Sequence, residues 1–174
     1  MHAHEGRELL ILRHAKSDWD AGAASDFDRP LTRRGKHDAP KIGAWLRQEG
    51  LVPDHVVSSP ARRARQTALR VCKALEIGKG QVDWDPQIYE GSLTGLLEVL
   101  GRCPPDAPRV LLIGHNPGLE TLVQHLSGAA LTLPDDGKLL PTGALARLAM
   151  PEYWADLTPG CGQFVSITRP RTLQ

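Results

Sequence analysis

Two short apolar runs in this chain each end in a histidine. Leu9-Leu10-Ile11-Leu12 leads into Arg13-His14, and Val110-Leu111-Leu112-Ile113 leads into Gly114-His115-Asn116-Pro117. Uninterrupted apolar runs of this length read as strands buried on both faces. Such strands need helices above and below them, and helical stripes follow. Ile42, Trp45 and Leu46 stand at i, i+3, i+4 within a stretch bounded by Thr32 and Glu49. Ala64, Ala68, Val71 and Leu75 form a second stripe, Leu93, Leu96, Leu97 and Leu100 a third, and Leu119, Leu122, Val123 and Leu126 a fourth. His55–Ser58 and Gln81–Trp84 add two more short strands. Strands alternating with amphipathic helices predict an α/β layered fold.

Two places resist that simple pattern. Pro40 falls inside the first helical stretch, so it either occupies a first turn or kinks a longer helix. The final third is punctuated by Pro134, Pro141, Pro151 and Pro159, and Ala144–Met150 and Phe164–Thr168 read as strands with no helix between them. That predicts at least one antiparallel pair and a mixed sheet. Residues 15–31 read as a long loop.

The 174 residues suit one domain, 1–174, with residues 1–7 as a flexible tail. His2 and His4 belong to that tail. Lys and Arg number 21 and Asp and Glu 20, which excludes nucleic-acid binding by bulk positive charge. Aromatic residues are 5%, too few for base-stacking platforms. No apolar run spans a membrane, and Met1–Glu5 begins no secretory signal. Cys72, Cys103 and Cys161 are odd in number and widely spaced, which fits reduced thiols in a cytoplasmic protein, with Cys72 in a helical core stripe. No CxxC pair or acidic cluster calls for a metal or other cofactor.

In open α/β sheets, ligands bind beyond the carboxyl ends of the strands. If the two histidine-tipped strands are neighbours, both imidazoles face one cleft. Asn116-Pro117 then opens a helix whose first N–H groups favour an anion at the same edge. Ser58-Ser59-Pro60 ends another strand, and Ala61-Arg62-Arg63-Ala64-Arg65 opens the next helix. Three arginines crowd a helix end where the dipole disfavours cations. One reading is a solvated basic face. The other is an anion site, for which the planar guanidinium fork suits a phosphoryl group. Arg63 is turned about 100° from Arg62, so the three cannot all face the cleft. His37, His55 and His125 stand outside these patterns and read as surface or structural. Trp19 and Tyr89 read as packing residues or as walls of the cleft mouth.

These motifs together resemble those of the histidine phosphatase superfamily. Arg13-His14-Ala15 resembles its Arg-His-Gly signature. Ser58-Ser59-Pro60-Ala61-Arg62-Arg63-Ala64-Arg65-Gln66-Thr67-Ala68 resembles its second motif, and Gly114-His115-Asn116 its third. Arg29-Pro30-Leu31-Thr32 with Gly35 resembles the small SixA-type phosphohistidine phosphatase branch. The resemblance implies a three-layer α/β sandwich, phosphoglycerate mutase-like, with a mixed, mostly parallel central sheet flanked by helices. It implies that His14 is the nucleophile and is transiently phosphorylated. It implies that Arg13, Arg63, His115 and Asn116 bind the phosphoryl group, with no metal or cofactor. Arg62 and Arg65 then return to the rim.

Three departures stand out. Ala15 replaces the usual glycine, so its backbone should not need a positive φ. Asp20 stands where larger relatives place a phosphate-contacting Asn, and a carboxylate there should turn away or pair with a cation. The third concerns the general acid. Glu90 is the only carboxylate in Pro86–Ser92, the region corresponding to the acid of larger relatives, and its fit is loose. A weak acid favours a phosphohistidine substrate, whose imidazole leaves more readily than an alkoxide. With nearby arginines lowering the His14 pKa and a protonated His115 adding charge, the site would surround a dianion with up to three positive groups. The expected partner is a phosphorylated protein, or else a small phosphorylated substrate. The alternatives are a phosphomonoesterase of the same superfamily and a non-catalytic phospho-binding module.

Overall fold

The structure, a computed structural model, describes residues 6–128, 131 and 133–173. His2 and His4 lie outside the described residues. Arg7, expected in the tail, is already the first residue of strand β1 (Arg7–Arg13). Helix α1 (Arg33–Gln48) follows, then β2 (His55–Ser58), α2 (Arg62–Leu75), β3 (Val82–Trp84), α3 (Leu93–Gly101), β4 (Arg109–Gly114) and α4 (Gly118–Ser127). Strands β5 (Leu145–Met150) and β6 (Gln163–Thr168) complete the sheet.

The six strands lie in the order β3-β2-β4-β1-β5-β6. The pairs β3–β2, β2–β4 and β4–β1 are parallel, and β1–β5 and β5–β6 are antiparallel. The sheet is therefore mixed and mostly parallel, and the antiparallel pair falls where two strands had no helix between them. β1 and β4 are direct neighbours, with Arg13 opposite Gly114.

Alternation along the central strands sends side chains to two cores. Leu9, Ile11, Val110 and Leu112 meet α3 and α4 on one face. Leu10, Leu12, Leu111 and Ile113 meet α1 and α2 on the other. Fully burying each such side chain is worth about 1.5–3 kcal/mol, which is why these strands tolerate no polar residue. α1 and α2 cross closely at Gly43, where a Cβ would stand 2.5 Å from the Val71 carbonyl oxygen.

Local signals set the helix starts. The Thr32 side chain accepts the Gly35 N–H at 3.0 Å and Ser92 accepts the Gly95 N–H at 3.1 Å, capping α1 and α3. Pro40 lies inside α1, well past its first turn. The helix continues through it without an N–H to offer the Lys36 carbonyl. Pro117 caps α4 from outside, so that helix starts one residue later than its sequence suggests. Gln81 closes a short 3-10 turn, leaving β3 to begin at Val82. The 15–31 loop carries one 3-10 turn, Asp26–Asp28, and an antiparallel bridge between Ser17 and Leu31. Among the described residues no helix is long and apolar enough to cross a membrane.

Candidate active site

β1, β2 and β4 run parallel, so their carboxyl ends meet at one edge. His14 extends the ladder by one bond, its N–H donating to the Gly114 carbonyl at 3.0 Å. The neighbouring strands thereby bring His14 and His115 together, with ring centroids 5.2 Å apart. Arg13, Arg29, Arg63 and Trp19 join both histidines around an inner pocket of about 270 Å³. An outer cleft of about 580 Å³ adjoins it, lined by Asp26, Tyr89, Glu90, Ser92 and Thr121, with Arg63, His115 and Asn116 shared by both.

His14 is buried, and its Nδ1 lies 2.7 Å from the Ala15 carbonyl oxygen. A carbonyl only accepts, so Nδ1 carries the proton and Nε2 keeps its lone pair. Burial, with lesser contributions from His115, Arg13 and Arg63, holds the His14 pKa down to about 3. The arginines act in the expected direction, but desolvation dominates. Ala15 is buried and is not among the residues with positive φ, so the position does not need glycine. Its N–H donates to Thr67 Oγ1 at 3.0 Å, and that hydroxyl donates to the Arg63 carbonyl at 2.8 Å. One threonine thus ties the backbone beside the nucleophile to the first turn of α2.

His115 departs from expectation. Burial, then the nearby Arg63 charge, lowers its pKa to about 4, so it is neutral rather than protonated near pH 7. Its Nε2 lies 2.8 Å from Ser59 Oγ, which already accepts the Ala61 N–H at 3.2 Å. Where the hydroxyl gives its proton to Nε2, Nδ1 is the N–H donor of the ring. His115 therefore contributes a directed hydrogen bond, not a third charge.

Of the three arginines at the start of α2, only Arg63 enters the site. Arg62 and Arg65 are exposed and line neither cavity. Arg13 donates through Nη1 to the Leu140 carbonyl at 3.1 Å, and Asn116 Nδ2 donates to the same oxygen at 2.8 Å. Glu120 Oε2 in turn accepts the Leu140 N–H at 2.9 Å. Of the 129–141 segment expected at the cleft mouth, residues 129, 130 and 132 lie outside the described residues, and Leu140 reaches the site through its backbone. The Nε of Arg13, Arg29 and Arg63 and the Nδ1 of His115 are buried without a hydrogen-bond partner. Buried donors normally have partners. Asn116 Oδ1 is unpartnered as well, so among the described residues those lining the inner pocket leave four nitrogens and one acceptor unpaired.

Several site residues carried no motif of their own. Arg29, quoted only as part of a short motif, is buried under Trp19, whose ring lies 3.6 Å from its guanidinium carbon. It donates to Ser17 Oγ and, at 3.2 Å, to Asp26 Oδ1. Asp26 also accepts the Tyr89 hydroxyl at 2.8 Å and Arg63 Nη2 at 3.0 Å. The Tyr89 bond, then Arg63 and Arg29, lower the Asp26 pKa to about 2. Tyr89 and Trp19 are thus walls of the site. Asp20 is exposed and lines neither cavity, so it turns away as expected. Glu90 is exposed on the outer cleft at φ 56 and does not line the pocket that holds His14. His37 is exposed, while His125 Nε2 bonds the Leu157 carbonyl at 2.9 Å, a structural tie. Cys72 is buried, and that burial raises its thiol pKa to about 11.

Known proteins share this fold. The family model of the histidine phosphatase superfamily (branch 1) matches residues 9–104. An uncharacterized protein of Mycobacterium tuberculosis strain H37Rv is 31% identical over 164 residues, covering 92% of this chain and all of that one. An uncharacterized chloroplastic protein of Arabidopsis thaliana is 35% identical over 136 residues, covering 73% of this chain and 62% of its own. A candidate phosphohistidine phosphatase SixA from Nakamurella multipartitia superposes with a TM-score of 0.81 at 30% identity, covering 95% and 96% of the two chains. The protein histidine phosphatase SixA complexed with tungstate superposes at 0.80 with 25% identity, covering 96% and 99%. The fold is thus phosphoglycerate mutase-like. A strand-end pocket of two histidines and three arginines, carried on a sequence that the family model matches over more than half its length, makes this chain a member of branch 1 of the histidine phosphatase superfamily.

Proposed function

We propose that this protein is a phosphatase that works through a phosphohistidine on His14 and that its substrate is itself a phosphohistidine, on a protein or as a small phosphoramidate. The observation that carries the reading is the state of His14. It is neutral, its Nδ1 proton is engaged by the Ala15 carbonyl, and its free Nε2 belongs to a pocket walled by arginines.

The chemistry follows from these residues. Nε2 of His14 attacks phosphorus in line, and the bond from phosphorus to the substrate imidazole nitrogen breaks. The departing imidazole takes up a proton. Water then attacks the phosphorus on His14, the new P–N bond breaks, and inorganic phosphate leaves. Arg13, Arg29 and Arg63 hold oxygens on which charge develops, and His115 Nδ1–H and the second N–H of Asn116 add directed donors. All the positive charge in this scheme comes from side chains.

Among the described residues that line the two cavities, the carboxylates are Asp26 and Glu90, and neither is suited to protonate a poor leaving group, which supports the P–N substrate. Asp26 stays ionised because Tyr89, Arg63 and Arg29 stabilise its carboxylate. Glu90 is the remaining carboxylate on the outer cleft wall, and it is exposed. A phosphomonoester would ask one of them to protonate an alkoxide. A P–N bond releases imidazole and asks for less.

The test compares hydrolysis of a phosphohistidine protein, a free phosphoramidate and an aryl phosphate, with intact mass spectrometry after brief exposure to each. A labile phosphate adduct absent in His14→Ala, and faster turnover of the P–N substrates, is the expected result. Phosphate binding with neither adduct nor turnover would identify a binding module instead. Glu90→Gln should slow an alkyl phosphomonoester far more than the P–N substrates. Equal loss on both would sink the substrate assignment.

A further inference from the structure

Asp26 sits in the 15–31 loop, where nothing in the sequence sets it apart. In the structure one carboxylate holds three partners. Arg63 gives it Nη2, bonded to Oδ2 at 3.0 Å, while Arg63 Nη1 donates to the main-chain carbonyl of Asp26 at 2.7 Å. Arg29 reaches Oδ1 and Tyr89 reaches Oδ2. The two arginine side chains are 7% and 9% exposed, whereas that of Asp26 is 48% exposed. The acid therefore contributes little to the core. It stands on the outer cleft, against the arginine shared with the inner pocket.

We propose that Asp26 is a positioning residue for phosphoryl transfer, orienting Arg63 and Arg29, and that its charge weakens the site's grip on free phosphate. The proposal rests on the reading that the inner pocket takes a phosphoryl group. Through its bonds to Nη1 and Nη2, Asp26 holds the plane of the Arg63 guanidinium, and Arg63 lines the inner pocket. The same carboxylate repels a dianion seated beside that arginine. Three arginines would hold product phosphate tightly, and one adjacent negative charge offsets part of that attraction. The repulsion falls most heavily on the compact dianion of free phosphate and less on a loose transition state that spreads its charge. Asp26 thus trades ground-state and product affinity for turnover.

The experiment measures binding of inorganic phosphate and of tungstate by calorimetry, alongside kcat and KM on a phosphoramidate, for wild type, Asp26→Asn, Asp26→Ser and Asp26→Glu. The neutral variants should bind phosphate roughly tenfold tighter, the order expected from removing one charge near the anion. Their kcat and KM should fall together. Asp26→Glu should return phosphate affinity toward wild type. Two neutral side chains of different size guard against a variant that fails to fold, with circular dichroism as the check. Unchanged or weaker phosphate binding in both folded neutral variants overturns the proposal. If wild type binds neither anion, the phosphoryl-site reading itself fails, an outcome separate from the first because the binding arm uses no substrate.

Discussion

His14 and His115 remain neutral well below the pH at which histidine ordinarily titrates, and that state has a thermodynamic signature. Their folded pKa values are about 3 and about 4, against 6.5 in the unfolded chain. As pH falls through 6.5, the unfolded state gains protons that the folded state refuses, so stability falls with it. Near pH 5 each histidine should have removed about 2 kcal/mol. The difference in melting temperature between about pH 7.5 and about pH 5 should therefore shrink in the double variant His14→Ala/His115→Ala. An acid sensitivity equal to that of wild type would falsify the buried-neutral assignment. At this scale the sequence was legible wherever a residue belonged to a motif. His14, Arg13, Arg63 and His115 meet as their motifs implied. Ser59 and Arg29 stand inside motifs that assign them no role, and Asp26 stands in none, because loop residues have no periodicity and their partners are distant in sequence. His115 is neutral rather than protonated near pH 7 because of its burial, which depends on the packed site and which no local pattern reports.

Helices and strands were far easier to read, since apolar spacing encodes them directly. Leu9–Leu12 and Val110–Ile113 are buried strands, and the four helical stripes all face a core. What spacing could not decide was Pro40, because an amphipathic stripe looks the same whether the helix begins before or after the proline. The element that most affects the site is the start of α1. Gly35 packs there against the backbone two residues beyond His14, and a Cβ on it would lie 2.3 Å from the Lys16 carbonyl oxygen. The Thr32 N–H also bonds that oxygen, at 2.9 Å. No flexible side chain can yield at that contact, because the opposing atom is backbone. Gly35→Ala should therefore destabilise the fold by roughly 1–3 kcal/mol, as overpacking does. It should also lower kcat by displacing the segment that carries His14. Thermal melting and turnover together check this. A variant as stable and as active as wild type would show that α1 does not brace the nucleophile.

For the molecule as a whole, charge balance and charge placement are different quantities. Lys and Arg exceed Asp and Glu by 21 to 20, yet three arginines converge on one pocket while a carboxylate such as Glu8 neutralises others far from it. Glu8 bridges Arg109 and Arg147 at the opposite edge of the sheet from the histidines. A near-neutral total predicts little long-range steering of an anionic substrate. What steering exists must come from cations near the cleft, and Arg62 and Arg65 are exposed on the helix that carries Arg63. Their field is screened within about 8 Å at physiological salt. Raising salt from about 20 to about 200 mM should therefore lower kcat/KM on a small dianionic substrate by only roughly two- to threefold. The double variant Arg62→Gln/Arg65→Gln should lose most of that dependence with kcat unchanged, since neither residue lines a cavity. Stopped-flow or steady-state rates across the salt series decide it. A tenfold or steeper dependence in wild type, or one unaltered in the double variant, would mean that the attracting field comes from charges inside the pocket rather than from its rim.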